Sequence, residues 1–214
     1  MFKKHKIITI LIIFLVLVFG YYTYEIVYAF YKTPQLRKHY LSEERTPLKW
    51  ADISPRQQEI FIKVQDPNFW NHNGVEFSTP GSGWTTVSQS ITKWLYFKEF
   101  KQGFRKIKQT LIAWLVVDKK FTKEEQLNIF INNVWFDTGV KGMAAGAAYF
   151  YQKPIQELTE DEYISLIATF IIPKKYNIKT QPENNAQRTK RIKRYLSGEY
   201  KPKGLFDILY DIED

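Results

Sequence analysis

The sequence predicts a mainly α-helical domain carried on a single N-terminal transmembrane helix. An uncharged apolar run at residues 7–22 directly follows Lys3, Lys4 and Lys6. Apolar side chains recur at helical spacing between residues 104 and 134, and no convincing alternating pattern indicates a strand. A chain of 214 residues with 44% hydrophobic content is long enough for one compact domain and an anchor.

The basic N-terminus and the apolar run are typical of a signal anchor. The run is near the lower limit of roughly 17–25 residues for a spanning helix, and four tyrosines between residues 21 and 28 suit the membrane interface. The positive-inside rule predicts a cytoplasmic N-terminus and an extracytoplasmic chain after about Lys32. A cleaved signal peptide is the alternative, because Val27-Tyr28-Ala29 resembles a cleavage site, although its bulky neighbours argue against cleavage.

Four segments follow from the composition along the chain. They are the N-terminus with its anchor (1–32), a juxtamembrane connector (33–49), the helical domain (50–198) and a tail (199–214).

Local signals place several helices within the domain. Ser54 before Pro55 starts a helix that runs to about Val64. Capping-box spacing, in which a hydroxyl and a carboxylate three residues later bond each other's backbone donors, marks starts at Thr122 and Thr159.

Three further helical segments are predicted from apolar spacing, and a fourth from glycine and alanine content. The first three lie at residues 104–117 and 127–134, and at residues 164–172, where Pro173 closes the helix. The glycines and alanines of residues 139–148 predict a turn followed by a closely packed helix.

The net charge of +9 predicts an anionic partner. Lipid headgroups and lipid diphosphates are favoured over nucleic acid, because the domain lies outside the cytoplasm and carries no recognised nucleic-acid motif. The chain has no cysteine, which excludes disulfides, thiolate metal sites and cysteine nucleophiles. Only three histidines occur, His5, His39 and His72, and their spacing predicts no metal site.

One segment is the most informative about function: Gln65-Asp66-Pro67-Asn68-Phe69-Trp70-Asn71-His72-Asn73-Gly74. It resembles the Glu-Asp-x-x-Phe-x-x-His-x-Gly motif of glycosyltransferase family 51, the peptidoglycan polymerases. Residues 83–93 are similar to that family's Gly-Gly-Ser-Thr-Ile-Thr-Gln-Gln-Leu-x-Lys motif, with Trp84 and Ser90 as the main departures. Residues 105–109 match Arg-Lys-x-x-Glu except at Gln109.

The resemblance continues in order to about residue 193. Residues 123–132 resemble the family's Lys-x-x-Ile-Leu-x-x-Tyr-Leu-Asn motif, and residues 150–153 echo its Tyr-Phe-Gly-Lys. Arg188 with Ile192 gives a weakened form of the terminal Arg-x-x-x-Val-Leu motif. The resemblance therefore covers most of the extracytoplasmic chain and does not depend on one short match.

The resemblance implies a lysozyme-like helical glycosyltransferase domain at the bacterial inner membrane. The implied reaction joins a lipid-linked disaccharide (lipid II) to a nascent glycan strand, with undecaprenyl diphosphate leaving. No cofactor is implied, although a divalent cation could accompany the diphosphate. Other cell-wall synthesis proteins are the implied protein partners.

The family motifs also imply the site residues. Expected contacts to sugar or diphosphate are Thr85, Thr86, Gln89, Lys93, Arg105, Lys106, Lys123 and Asn132. Phe69, His72 and Gly74 are expected to shape the motif loop.

Two departures put catalysis in question, since Gln65 and Gln109 stand where the family has its catalytic glutamates. An amide does not act as a general base at neutral pH, and loss of a positioned base costs about 10²–10⁴-fold in rate. Three hypotheses follow: a working enzyme in which Asp66 or Glu76 supplies the base, a silent module that binds precursor or docks on a polymerase, and a purely structural membrane protein. The Ser-x-x-Lys pattern at Ser90 and Lys93, typical of penicillin-binding acyl enzymes, is discounted because no Lys-Thr-Gly element accompanies it.

Overall fold

The computed structural model describes residues 2–101 and 103–211, with side chains from residue 5 onward. The helices are α1 (Phe2–Tyr40), α2 (Pro55–Gln65), α3 (Val87–Tyr96), α4 (Phe104–Ile112), α5 (Asp118–Lys120), α6 (Lys123–Asn133), α7 (Met143–Tyr151), α8 (Glu160–Ala168) and α9 (Pro182–Ser197). A π-helical stretch (Ala113–Val117) joins α4 to α5, and strands β1 (Trp135–Asp137) and β2 (Val140–Lys141) form an antiparallel hairpin. The predicted mainly helical architecture is confirmed.

Helix α1 is longer than an anchor requires. Its 39 residues extend about 58 Å at 1.5 Å per residue, roughly twice the thickness of a bilayer core. By length and composition α1 is able to cross a membrane, and none of its most apolar 18-residue stretch is buried against the rest of the protein. The predicted boundary between residues 32 and 33 falls inside this helix, and Pro34 does not end it.

The second half of α1 packs on the domain, which explains why the helix continues past Pro34. Ala29 and Thr33 are buried, and the Thr33 hydroxyl lies 2.8 Å from the Tyr96 hydroxyl. The Tyr40 hydroxyl donates to the Trp94 carbonyl at 2.8 Å. These contacts fix the direction of the domain relative to α1.

The predicted helix starts are confirmed. Ser54, Thr122 and Thr159 each accept a hydrogen bond from the backbone N–H three residues later, and the residue at that position returns one. Such caps form from neighbours in sequence, so a pattern of four residues is enough to locate them.

The predicted helix at residues 104–117 is present, but it widens into the π-helical stretch after Ile112. The backbone of Gly74 presses against this stretch, where a Cβ on Gly74 would lie 2.5 Å from the Ala113 carbonyl oxygen. Gly74 also has φ +85°, a conformation that favours glycine. A π-helical stretch often marks a functional site.

Two local expectations are corrected. The hairpin of β1 and β2 was not predicted, because strands of three and two residues are too short to show alternation. Helix α8 ends at Ala168 and not at residue 172. Arg188 Nε donates to the Ala168 carbonyl at 3.2 Å and satisfies a backbone acceptor at this end of the helix.

An aromatic cluster joins the central helices. Phe61 of α2 contacts Phe130 of α6 edge to face at 5.5 Å, and both rings contact Phe170, at 6.1 and 6.0 Å. Phe136 of β1 lies 5.3 Å from Phe170 and presses on Gly146 of α7. The core therefore supports the C-terminal end of α2, where the candidate motif begins.

We predict that Gly146→Ala destabilises the domain. An added Cβ would lie 2.8 Å from the Phe136 ring, and relief of such overpacking typically costs about 1–3 kcal/mol. Thermal unfolding of the detergent-solubilised chain should show a midpoint lower by several degrees. Gly204→Ala is the matched control, since its Cβ would meet nothing within 4 Å, and equal midpoints for the two variants would contradict the packing.

Candidate functional site

A cavity of about 380 Å³ lies where the motifs converge. Its walls come from the end of α2, the loop before α3, α3 itself, and the segment after α8. The polar and charged lining residues are Gln65, Ser82, Thr85, Ser90, Lys93 and Arg188. Among the residues that the structure describes, no Asp or Glu lines this cavity.

Gln65 occupies the last position of α2, and its half-buried side chain faces the cavity. The residue that the motif resemblance assigns to the first catalytic position is therefore on the cavity wall, and it is an amide. An amide at this position donates or accepts hydrogen bonds without exchanging a proton at neutral pH.

Asp66 follows Gln65 but is turned into the protein, where it is 1% exposed. Its carboxylate accepts from His72 Nε2 at 3.0 Å and from the Val87 backbone N–H, at the start of α3, at 2.9 Å. His72 Nδ1 accepts from the Gly74 N–H at 3.0 Å, so Nε2 carries the ring proton. Asp66 thus ties the motif loop to α3 through its charged oxygens.

Glu76, the other candidate base, is also fully engaged. Its carboxylate accepts from the backbone N–H groups of Phe77, Ser78 and Thr79 at 2.6–3.1 Å, and from the Asn68 amide. Burial raises the pKa of Glu76, but these hydrogen bonds outweigh it and hold the pKa well below its usual range. A carboxylate with so low a pKa is a weak proton acceptor at neutral pH.

Gln109, which the resemblance assigns to the second catalytic position, is 1% exposed and lies between α4 and α3. Its Nε2 donates to the Gln89 carbonyl at 2.6 Å, a bond that a carboxylate is unable to donate. Its Oε1 is buried and has no partner among the described residues. The contact between these helices is built around an amide.

Thr86 and Gln89 support the start of α3. They form a reciprocal capping box, and the Thr86 hydroxyl donates to the Gly74 carbonyl at 2.8 Å. Gln89 Nε2 donates to the Thr110 hydroxyl of α4 at 3.0 Å. Both side chains are buried in these bonds and point away from the cavity lining, unlike Thr85.

One of the four expected cations, Lys93, lines the cavity, and a second, Lys106, bonds two of its lining residues. Lys106 Nζ donates to the Trp84 carbonyl at 2.8 Å and lies 3.1 Å from the Thr85 hydroxyl. Burial, followed by the nearby charge of Lys93, lowers the pKa of Lys106 to about 8. Neither lysine has a carboxylate within 4 Å in the described part of the chain, so no acidic side chain there compensates their positive charges.

The other expected contacts lie elsewhere. Arg105 is exposed and donates to the Glu99 carbonyl at 2.7 Å. Lys123 Nζ donates to the His72 carbonyl at 2.7 Å and pairs with Asp118 at 3.2 Å, which secures the motif loop from behind. The Asn132 side chain accepts from the Leu48 N–H and donates to the Leu48 carbonyl, and so holds the segment before α2 against α6.

The expected loop-shaping residues meet at one point. Phe69 is fully buried, with its ring edge to face with His72 at 5.9 Å and Lys123 Nζ 4.8 Å above it. Gly74 completes the turn against the π-helical stretch.

The tail supplies one wall of the cavity, which the sequence did not predict. Gly81 and Gly83 donate backbone bonds to the carbonyls of Gly204 and Leu205 at 2.9 and 2.8 Å. Ile208 lines the cavity, and Arg188 Nη1 donates to its carbonyl at 3.2 Å. Arg188 stood on a family motif and could have been included among the site residues, whereas Ile208 carries no recognisable signal.

No group of three or more His, Asp or Glu side chains suited to a metal ion occurs among the described residues. The donor set of the cavity, without a carboxylate in its described lining, does not fit a resident divalent cation.

The site and fold define a helical transglycosylase domain, and comparison with known proteins agrees. The profile of the Transglycosylase family matches residues 33–197, so the chain belongs to this family, whose domain is lysozyme-like. Penicillin-binding protein 1F of Bacillus subtilis (strain 168) is 27% identical over 164 residues, covering 71% of this chain and 23% of that protein.

Two further relatives are penicillin-binding proteins 1A. The protein from Aquifex aeolicus (strain VF5) is 29% identical over 154 residues, covering 65% of this chain and 21% of its own length. The protein from Pseudomonas aeruginosa (strain PAO1) is 26% identical over 157 residues, covering 67% and 19%. The chain therefore spans only about a fifth to a quarter of these relatives.

We predict that affinity for inorganic pyrophosphate falls between pH 7 and pH 9. With a pKa of about 8, Lys106 is mostly protonated at pH 7 and mostly neutral at pH 9, so its attraction for an anion is lost as pH rises. Calorimetric titration should show a steeper fall for the unaltered chain than for Lys106→Arg, which keeps its charge throughout. Identical profiles would contradict a role for Lys106, because the titration of pyrophosphate itself is common to both.

Proposed function

We propose that this protein binds the lipid-linked disaccharide of peptidoglycan synthesis at the outer face of the bacterial inner membrane and holds it without transferring it. The observation that carries the proposal is a cavity with cationic side chains and Gln65 on its walls, and no carboxylate in its described lining. Such a site attracts a diphosphate but provides no proton acceptor for glycosyl transfer.

The charges support the choice of ligand. Lys93 and Arg188 line the cavity, and Lys106 bonds the lining residues Trp84 and Thr85. Burial lowers the pKa of Lys93, and a bound diphosphate would favour its charged form. The cavity is thus suited to an anion rather than to a neutral sugar alone.

The position of α4 supports a membrane-bound ligand. The Tyr22 hydroxyl, near the end of the apolar run, donates to the Phe104 carbonyl at 3.4 Å. Phe104 is 84% exposed and begins α4, and Lys106 follows two residues later. If α1 is the membrane anchor, Lys93 and Lys106 lie close to the level of the lipid headgroups, where the diphosphate of a polyprenyl lipid would be.

The bonds of the remaining carboxylates argue for holding over transfer. For Asp66 to accept a proton from a substrate hydroxyl, it would have to leave His72 and the N-terminus of α3. Glu76 would have to leave several backbone donors. Either movement would cost the motif loop its main polar contacts.

A working transferase is the second candidate, favoured by the position of Asp66 one residue from Gln65. In that case Asp66 would reach the 4-hydroxyl of the acceptor disaccharide after a rearrangement of the loop. The nascent glycan strand would occupy the donor side, and its undecaprenyl diphosphate would leave. A divalent cation, if one takes part, would take its ligands from the substrate diphosphate. Docking on other cell-wall synthesis proteins is compatible with both candidates, and nucleic acid is not proposed as a partner.

We predict that the purified full-length chain binds lipid-linked disaccharide but forms no glycan polymer. Lys93→Ala should weaken binding by about 10- to 100-fold, since a hydrogen bond to a charged group contributes about 1.5–3 kcal/mol. Lys190→Ala, which removes an exposed lysine of α9, is the charge-matched control and should bind normally. Binding is measured by fluorescence with labelled precursor, and polymer by gel electrophoresis.

Each outcome separates the candidates. Polymer from the unaltered chain would reject holding and favour transfer with a displaced base. Absence of binding would reject both. If only the Gln65→Glu variant formed polymer, the missing carboxylate on the cavity wall would be the reason why the unaltered chain is inactive.

A further inference from the structure

A second concavity of about 320 Å³ lies between α1 and the domain, separate from the motif cavity. One wall is the face of α1 from Glu25 to Leu36, and the other comes from the end of α3 and from α4. We call it the anchor groove, and its charged lining residues are Glu25, Lys32, Lys98 and Lys108. Trp94 lines both the anchor groove and the motif cavity.

The anchor groove begins where the apolar run of α1 ends. Residues 7–24 carry no charge and extend about 27 Å, close to the thickness of a bilayer core, and Glu25 is the first charged residue after them. If α1 spans the membrane, as the proposed function assumes, the groove opens into the outer headgroup region. A ligand there would be a lipid of that leaflet.

The floor of the anchor groove suits an acyl chain. Tyr28, Leu36 and Phe97 line the groove and keep part of their apolar surface exposed. Beneath them lie the buried side chains of Ala29, Leu95 and Ile112. The Tyr96 hydroxyl, which would otherwise present a polar group, is bonded to Thr33. A sugar would therefore find few free hydrogen-bonding groups on this floor.

The rim carries uncompensated positive charge. Glu25 and Lys108 form an ion pair at 2.5 Å and neutralise each other. Lys32 lies 5.7 Å from the Tyr28 ring, and neither Lys32 nor Lys98 has a carboxylate partner within 4 Å among the described residues. The groove thus combines an apolar floor with two available cations.

We propose that the anchor groove binds an anionic phospholipid of the outer leaflet, with its phosphate at Lys32 and Lys98 and one acyl chain along the floor. Charge complementarity favours this lipid over a zwitterionic phospholipid, because the positively charged headgroup of a zwitterionic lipid would be repelled by the two lysines. The bound lipid would pack against Trp94 and so form part of the support of the motif cavity.

Native mass spectrometry of the full chain in neutral detergent tests the proposal. Titration with phosphatidylglycerol and with phosphatidylcholine of the same acyl chains should show one tightly held phosphatidylglycerol, preferred by about tenfold or more. The double variant Lys32→Ala/Lys98→Ala should lose this preference, and Lys32→Arg/Lys98→Arg should keep it. Lys174→Ala/Lys190→Ala, which removes two exposed lysines elsewhere, is the matched control.

Equal retention of the two phospholipids, or a preference that survives Lys32→Ala/Lys98→Ala, would overturn the proposal. Displacement of phosphatidylglycerol by an equal amount of undecaprenyl phosphate would assign the groove to a polyprenyl chain and would overturn it as well. Because Lys93 does not line this groove, Lys93→Ala should leave the preference unchanged while it weakens precursor binding. The two proposals can therefore fail separately.

Discussion

The buried carboxylate of Asp66 is the interaction on which the site depends. It accepts from His72 and from the first N–H of α3, and through His72 it reaches the turn at Gly74. These bonds join the end of α2, the motif loop and the start of α3. Gln65 and Lys93 face one cavity because those two helix ends are held together.

The same constraint limits the chemistry of the site. A carboxylate that holds two helix ends is not free to accept a substrate proton, and Glu76 is engaged in the same way by its own loop. The amide of Gln109 extends this pattern, because it joins α4 to α3 through a bond that a glutamate could not donate. The described polar groups near the cavity are thus engaged in holding the helices together, and this arrangement supports the proposal that the site binds an anion without transferring a sugar.

The sequence predicted what depends on neighbours in the chain and missed what depends on distant contacts. The caps at Ser54, Thr122 and Thr159 were located from four-residue patterns. The π-helical stretch was not, because it lies against Gly74, about forty residues earlier in the chain. The motifs correctly predicted that Lys93 lies at the site. They did not indicate that Lys123 is held by Asp118 and the His72 carbonyl, because these contacts depend on distant parts of the chain. For the same reason they did not indicate that Ile208 completes the cavity wall.

The most direct test of this account is the stability and pyrophosphate affinity of Asp66→Asn, measured together. If Asp66 supports the site, the variant should unfold several degrees lower, from the loss of about 1–3 kcal/mol, and its pyrophosphate affinity should fall as the walls separate. A variant with unchanged unfolding temperature and affinity, but without a polymerising activity that the unaltered chain possesses, would contradict the account. It would identify Asp66 as a proton acceptor.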